Sequence, residues 1–378
     1  MKRRSTIFKV GMVGLATAVL PILGAGTAFA DYAPQSGDIV GVGGDTPQYA
    51  LSFLADGDNV GDAGFNNVGA YNRLVSFSAT PDANGRSAYT NSVTTGTASV
   101  ALNPTDVLRA GTSPVQRVSS SGSAITALLA DTGSPETINY VSSASLPTAA
   151  QQTQAGTNGW GYLHVVEIGT DAVQIAEDLT TNGPSTLDLA DLYYIYTAAA
   201  PTWNNLPDDP TASTDAVIPY LPPSSSTIYK QLIADLTTYH GSAPTIAADV
   251  KTVEQNDPSV ITGSTHSADV IVPFSQARFN LWADNYFKNP ATPFPGGVAQ
   301  SSGIKLAGGY SGAITDYVIF RQSDAASTTP FEPGSSKNWV QTLFSGTNPL
   351  VAKGSGQALI AASGVTPNYV DLGNVSHG

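Results

Sequence analysis

One pattern recurs along this chain and limits what it can fold into: a short apolar strand enters a loop of hydroxyl or glycine residues, and a helix follows. Ala216 to Tyr220 is one such strand; Pro222-Pro223 stops it, and Ser224, Ser225, Ser226 and Thr227 open a helix running to Leu236. Val115 to Val118 leads through Ser119 to Ser123 into a helix at Ala124 to Leu129, and Ile138 to Val141 ends in Ser142 to Ser145. Near the start, Asp38 to Val42 passes through Gly43-Gly44-Asp45-Thr46-Pro47 into the helix-spaced Tyr49, Leu51, Phe53 and Leu54. Asp or Thr suits the cap there, and Pro the first helical turn. Strands alternating with helices in this way predict an α/β fold.

The remaining segments extend the alternation. Tyr162 to Ile168 predicts a strand, and Thr170 to Leu179 a helix with Ala172, Val173, Ile175 and Ala176 inward. Gln151 to Gly159 is polar and glycine-bearing and reads as a domain crossing. Ile246 to Glu254 and Gln276 to Phe287 predict helices, and Asp269 to Phe274 and Asp316 to Phe320 strands, the last of them able to cross back. Trp339 to Phe344 and Gln357 to Ala362 predict helices, and Val365 to Val370 a terminal loop or strand. Between residues 57 and 100 only Leu74 to Phe77 carries a strand pattern.

A helix start rich in hydroxyls has two readings. The unpaired amides of the first turn and the positive end of the macrodipole favour an anion there. The same residues also make ordinary N-caps. The glycine loop at Gly43-Gly44 is neither a Walker loop nor a dinucleotide fingerprint, since no Gly-Lys-Ser/Thr and no GxGxxG is present. For hydrolysis the residues offer little: there is no G-x-S-x-G elbow, and His164, His240, His266 and His377 show no metal-ligand spacing.

Residues 1–30 read as an export signal. Lys2, Arg3, Arg4 and Lys9 precede an apolar run from Val10 to Leu23, and Ala28-Phe29-Ala30 fits the cleavage rule, with the cut after Ala30. Without those four cations, 12 basic residues face 29 acidic ones, a formal net charge of −17. That balance argues against nucleic acid and anionic lipid as partners, while leaving a small anion held by local donors open. With no cysteine there is neither a disulfide nor a cysteine-linked lipid anchor. The expectation is a secreted protein without membrane insertion.

From Leu187 the residues become recognisable. Leu187-x-Leu189-Ala190-Asp191-Leu192-x-x-Ile195-Tyr196-Thr197, then Thr202-Trp203-Asn204-x-Leu206, then strand, prolines and hydroxyl loop, resembles the phosphate-binding type II solute-binding proteins of ABC transporters, in their secreted actinobacterial branch. Gly41 to Thr46, Arg117 with Ser120 to Ile125, Ile138 to Leu146, Asp257-Pro258, Pro273-Phe274-Ser275 and Arg278 to Leu281 agree, in the same order. The resemblance implies a two-lobed α/β fold, each lobe a mixed sheet flanked by helices. Residues 31–158 and 316–378 would form lobe 1 and 159–315 lobe 2, with two crossing strands between. It further implies an oxyanion, phosphate first, in the cleft, an ABC permease as partner, no enzymatic activity and no cofactor.

Carried onto this sequence, the first-lobe contacts would be Gly44, Asp45 (through its backbone) and Thr46, Ser121, Gly122 and Ser123, and Ser142. Those of the second lobe would be Ser225, Ser226 and Thr227. The pattern departs in two places: Leu221 or Pro222 stands where the family has Arg, and Ser143 where it has an Asp that accepts the ligand's proton. Arg117 has two readings, a replacement charge for the ligand or an inter-strand salt bridge. An alternative for the whole chain is the same fold reused as an extracellular structural, adhesion or scaffold protein with a decayed site.

Overall fold

The computed structural model describes residues 33–58, 61–77, 79, 105–118, 120–283 and 303–377. The export segment expected at residues 1–30, the far end of the helix expected from Gln276 to Phe287, and most of 78–104 lie outside them. The strands are β1 (Ile39–Gly43), β2 (Leu74–Ser76), β3 (Thr105–Asp106), β4 (Val115–Gln116), β5 (Tyr140–Ser143), β6 (Leu163–Asp178), β7 (Thr186–Leu187), β8 (Ile218–Leu221), β9 (Lys251–Thr252), β10 (Val270–Ser275), β11 (Ile304–Arg321) and β12 (Thr366–Asn374). The longer helices are α1 (Gln48–Asp56), α2 (Ser121–Ala130), α3 (Ala149–Thr157), α4 (Leu189–Thr197), α5 (Thr227–His240), α6 (Gln276–Ala283), α7 (Trp339–Leu343) and α8 (Gly354–Ala362).

This is a mixed α/β fold on one ten-stranded sheet, ordered β2-β1-β5-β11-β6-β10-β8-β9, with β12 added to β6 and β7 to β11. Its spine is the antiparallel pair of β6 and β11, which runs from Leu163 against Arg321 to Asp178 against Ile304. At one end of the spine β5 joins β11, with β1 and β2 parallel beyond it. At the other end β10 joins β6, with β8 and β9 parallel beyond it. The two groups run in opposite directions: Ser143, last in β5, stands opposite Tyr317, and Ser275, last in β10, stands opposite Val173. The carboxyl ends of both groups therefore point at the same stretch of spine, Gly169–Ala172 and Ala313–Asp316. Crevices at the carboxyl ends of such strands are where α/β sheets bind ligands.

Side-chain alternation sorts the cores. On one face a single cluster joins Ile39, Tyr140, Val166, Val318 and Phe320 to Val270, Val272, Phe274 and Ile304, under α1 and α8. The residues between them face the other way and form two separate clusters. Val40, Val42, Val141, Val165 and Ile319 pack with α2, and Val173, Ile175, Ile271 and Ile314 with α4 and α5. The apolar layer on that second face is thus divided between the two ends of the spine. Gly41 and Gly43 set the spacing of β1 against β5, since a Cβ would fall 2.0 Å from the Tyr140 ring carbon Cζ or 1.7 Å from Ser142 Oγ.

Three expectations need correction. Of Thr170 to Leu179, the part up to Asp178 is the second half of β6 rather than a helix: Ala172, Val173, Ile175 and Ala176 fit a helical stripe, but the segment lies between β11 and β10 and buries Val173 and Ile175 on one face by alternation. Of Gln151 to Gly159, the part up to Thr157 belongs to α3 rather than to a crossing, with Asn158 its C-cap, and Thr148 with Gln151 forms its capping box. Ile246 to Glu254 is not helical; Ala247 N–H bonds Tyr196 O, and Val253 N–H bonds Leu221 O beyond β9. The boundary placed between 315 and 316 falls inside β11, beside a register irregularity at Asp316/Tyr317.

Buried carboxyls make the fold sensitive to pH. Glu177, on β6, has a carboxyl pushed up to about 7 by burial, against the pull of Lys305 at 3.5 Å. Asp324 is also pushed up to about 7, by burial and Glu136, although Arg321 opposes it. A carboxyl raised in the folded state favours folding while protonated, so the stability it contributes is fully present below the ordinary carboxylate range and is lost as pH climbs through about 7. Thermal unfolding between pH 4 and 8 should show this decline, and Glu177→Gln and Asp324→Asn should flatten it by at most about 3 and about 4 kcal/mol respectively.

Candidate functional site

The two strand groups meet on one carboxylate. Asp45, in the turn between β1 and α1, is 6% exposed and, among the described residues, accepts from four side chains. Its Oδ1 receives Gln48 Nε2 and Arg278 Nη2, each at 3.0 Å; its Oδ2 receives Gln255 Nε2 at 3.0 Å and Asn256 Nδ2 at 2.7 Å. Gln48 comes from α1, on Asp45's own side. Gln255 and Asn256 follow β9, and Arg278 lies in α6 just after β10, so three of the donors come from the other side. The donors are oriented in turn: Gln48 Oε1 accepts from Ala79 N–H, Asn256 Oδ1 accepts from Ser275 N–H, and the Arg278 guanidinium lies 4.3 Å over the Tyr49 ring. Asn256 adopts a φ of 57°, a conformation asparagine tolerates better than most residues.

The hydroxyl loops surround this centre. Gly44 donates its N–H to Ser142 O at 3.1 Å and packs so close to α2 that a Cβ would sit 3.1 Å from Ser121 Oγ. Ser121 Oγ in turn accepts from Ala144 N–H at 2.8 Å. Gly44, Ser121 and Ser142 are therefore brought together, and Thr46 follows two residues after Gly44 with its Oγ1 buried and, among the described residues, without a hydrogen bond. Ser123 belongs to the capping box of α2 with Ser120, beside the exposed Gly122; such a cap leaves the amides of Ser121 and Gly122 over. Ser226 is the N-cap of α5, accepting from Tyr229 N–H at 3.1 Å, with Ser225 exposed and Thr227 partly exposed beside it. Among the described residues no hydrogen bond joins Ser225, Ser226 or Thr227 to the Gly44, Ser121 and Ser142 group. Arg117 pairs with Asp106 at 2.7 Å, tying β4 to β3. Ser143 is closed on itself, donating to Ser145 O and accepting from Ser145 N–H.

The spine beneath the junction carries two further carboxyls that sequence reasoning did not single out. Asp171, on β6, accepts from Ser275 Oγ and from Ala277 N–H at the start of α6. Burial raises its pKa, while those hydrogen bonds hold it down. Asp316, on β11, is fully buried, and among the described residues neither of its oxygens has a hydrogen-bond partner. Burial and, secondarily, the neighbouring Asp171 raise its pKa well above the carboxylate range. Arg278, Gln255 and Asn256 were missed as site residues too. An arginine alone among uncharged residues directly after a strand is a signal for Arg278; nothing local marks Gln255 or Asn256.

Two other places bear on chemistry. His164 has both ring nitrogens engaged, Nε2 with Asp371 at 2.6 Å and Nδ1 with Gln322 Oε1 at 2.7 Å. The nearby Ser345 hydroxyl is bonded to Asp371 rather than to the histidine, so this cluster is not a serine–histidine pair. A cavity of about 720 Å³ beside α4 and α5 is lined by Asp188, Asp208 and Asp235 with Tyr239 and Tyr310. Its carboxylates repel one another, Asp188 raising the pKa of Asp208, and they would repel an oxyanion.

The isolated carboxyl at Asp316 has a pH signature. Its raised pKa costs stability above the ordinary carboxylate range, where ionisation would be forced into a dry site. Asp316→Asn should raise the melting temperature at pH 7 to 8 and leave it nearly unchanged at pH 4, as read by calorimetry.

No protein-family model matches this chain, and no curated protein does. Similar solved structures include the phosphate-binding protein from Stenotrophomonas maltophilia, at 13% identity over 87% of this chain and 90% of that one, with a TM-score of 0.47. An ABC-type phosphate transport receptor from Vibrio cholerae has 12% identity over 87% and 99%, TM-score 0.43, and a human phosphate binding apolipoprotein 13% over 75% and 81%, TM-score 0.42. At these scores and identities the likeness carries nothing about ligand or site, and what the junction holds has to be argued from its own geometry.

Proposed function

We propose that this chain is a non-enzymatic solute-binding protein that holds a small oxyanion, phosphate first, where the two strand groups meet. The observation that carries the reading is Thr46 Oγ1, a buried hydroxyl without a hydrogen-bond partner among the described residues, two residues after the Gly44 that packs with Ser121 and Ser142. A buried polar group left unpaired costs about 1 to 3 kcal/mol, which a ligand oxygen would offset. The α2 start adds the amides of Ser121 and Gly122 and the favourable end of a ten-residue helix. Ser225, Ser226 and Thr227 would approach from the second lobe. In this reading residues 1–30 export the chain, with cleavage after Ala30, and an ABC permease receives the solute. Among the described residues no helix is long and apolar enough to cross a membrane.

A second reading, a structural or adhesive protein on the same fold, is favoured by one observation: two arginines beside the loops are paired with carboxylates, Arg117 with Asp106 and Arg278 with Asp45. A thermal-shift series with phosphate, sulfate and arsenate separates the two. The oxyanion reading expects a rise in melting temperature, equivalent to about 4 kcal/mol when the ligand is at about 1,000 times its dissociation constant. It also expects Thr46→Val and Ser121→Ala to remove most of that rise while leaving the unliganded protein folded. No response to any of the three anions would overturn it in favour of the structural reading.

A further inference from the structure

We propose that Asp45 is the internal occupant of an anion-holding centre, so that the two halves of the sheet are held together by the chain's own carboxylate without a dissolved ligand. An ionised carboxylate offers about four acceptor positions. Here all four are used, two donors on each oxygen, and each donor is a buried side chain: Gln48, Gln255, Asn256 and Arg278 are between 1% and 7% exposed. A guanidinium and primary amides converging on one point are the chemistry with which proteins recognise small oxyanions. Three of these donors come from the β9 and β10 side and the carboxylate from the β1 side, so those three bonds span the junction. Charge-assisted bonds in a site this dry are strong, and an unpaired Arg278 or amide there would be costly. The lock holds whether or not the hydroxyl loops beside it take an oxyanion.

The centre resists a simple exchange. A dissolved anion reaching Arg278 would have to displace a carboxylate tethered to the chain, whose local concentration is high and whose partners are already oriented through Ala79, Ser275 and Tyr49. Removing that carboxylate should leave a hole of its size, lined by the same donors. The site would then take a small free carboxylate.

Chemical rescue tests this. Asp45→Ala should lower the melting temperature by about 5 °C, the effect of breaking one buried charge pair in a chain of this length. Formate should restore much of the loss in a saturable way, while formamide at equal concentration should not. In the double variant Asp45→Ala/Arg278→Met the rescue should vanish. X-ray scattering supplies an arm that needs no variant: wild-type protein without added anion should show the compact radius of gyration, unchanged by phosphate. An expanded wild-type form that contracts on adding phosphate would overturn the proposal, as would an Asp45→Ala variant with wild-type stability or one rescued equally by formamide. Should Asp45→Ala not fold, the volume-conserving Asp45→Asn replaces it. An expanded Asp45→Asn form of lowered melting temperature supports the lock, and wild-type size and stability in that variant sink it.

Discussion

The arrangement depends on the pairing of β6 with β11. Two strands of 16 and 18 residues hydrogen-bond along nearly their whole length, so neither end of the sheet can be built without the other. Because β5 and β10 add to opposite edges and opposite ends of this pair, their carboxyl ends are forced to face each other across its middle. The loops after β1, β5, β8, β9 and β10 sit at such ends, and the start of α2, which follows β4, is packed against them through Gly44 and Ala144. The site follows from strand direction before any side chain is considered.

The middle of the spine is also where the interior turns polar. Asp171 and Asp316 lie in it, Asp45 and Arg278 lie over it, and the apolar layer on one face is interrupted there. A dry polar junction is stable only when its members pair, and most do. Asp171 caps α6 and bonds Ser275, and Asp45 satisfies four donors. Asp316 and Thr46 Oγ1 are left without partners, which marks the junction as more than packing.

Arginine has a particular place in this molecule. The chain has only 16 lysines and arginines and no cysteine, yet it buries several guanidiniums as interior ties. Arg321 is fully buried, bonds the carbonyls of Ile138 and Asp131, and faces Asp131, Glu136 and Asp324. Arg109 bonds Gln35 O, Asp38 O and Asn139 Oδ1, and Arg278 closes the junction on Asp45. The planar fork with its fixed donors lets one side chain fasten several loops at once, which a lysine cannot do. In a chain without disulfides, such ties hold segments far apart in sequence.

Sequence by itself determined the local units: strands that end in hydroxyl loops, the cap at Ser226, the hydroxyl-rich start of α2, the apolar strand at β10, and hence the α/β class. These are legible because capping and alternation act within a few residues of one another. Tertiary structure alone decided the rest. The segment from Thr170 to Leu179 carries both a helical stripe and a strand alternation, and the neighbours on its two edges select the strand. Arg117 had two readings, a ligand charge or a salt bridge, and only the pairing of β3 with β4 brings Asp106 to it. Asp45 looked like a turn residue contributing its backbone, but its side chain bonds partners 210, 211 and 233 positions away. No periodicity reaches that far; only the folding of β6 against β11 brings those donors to it.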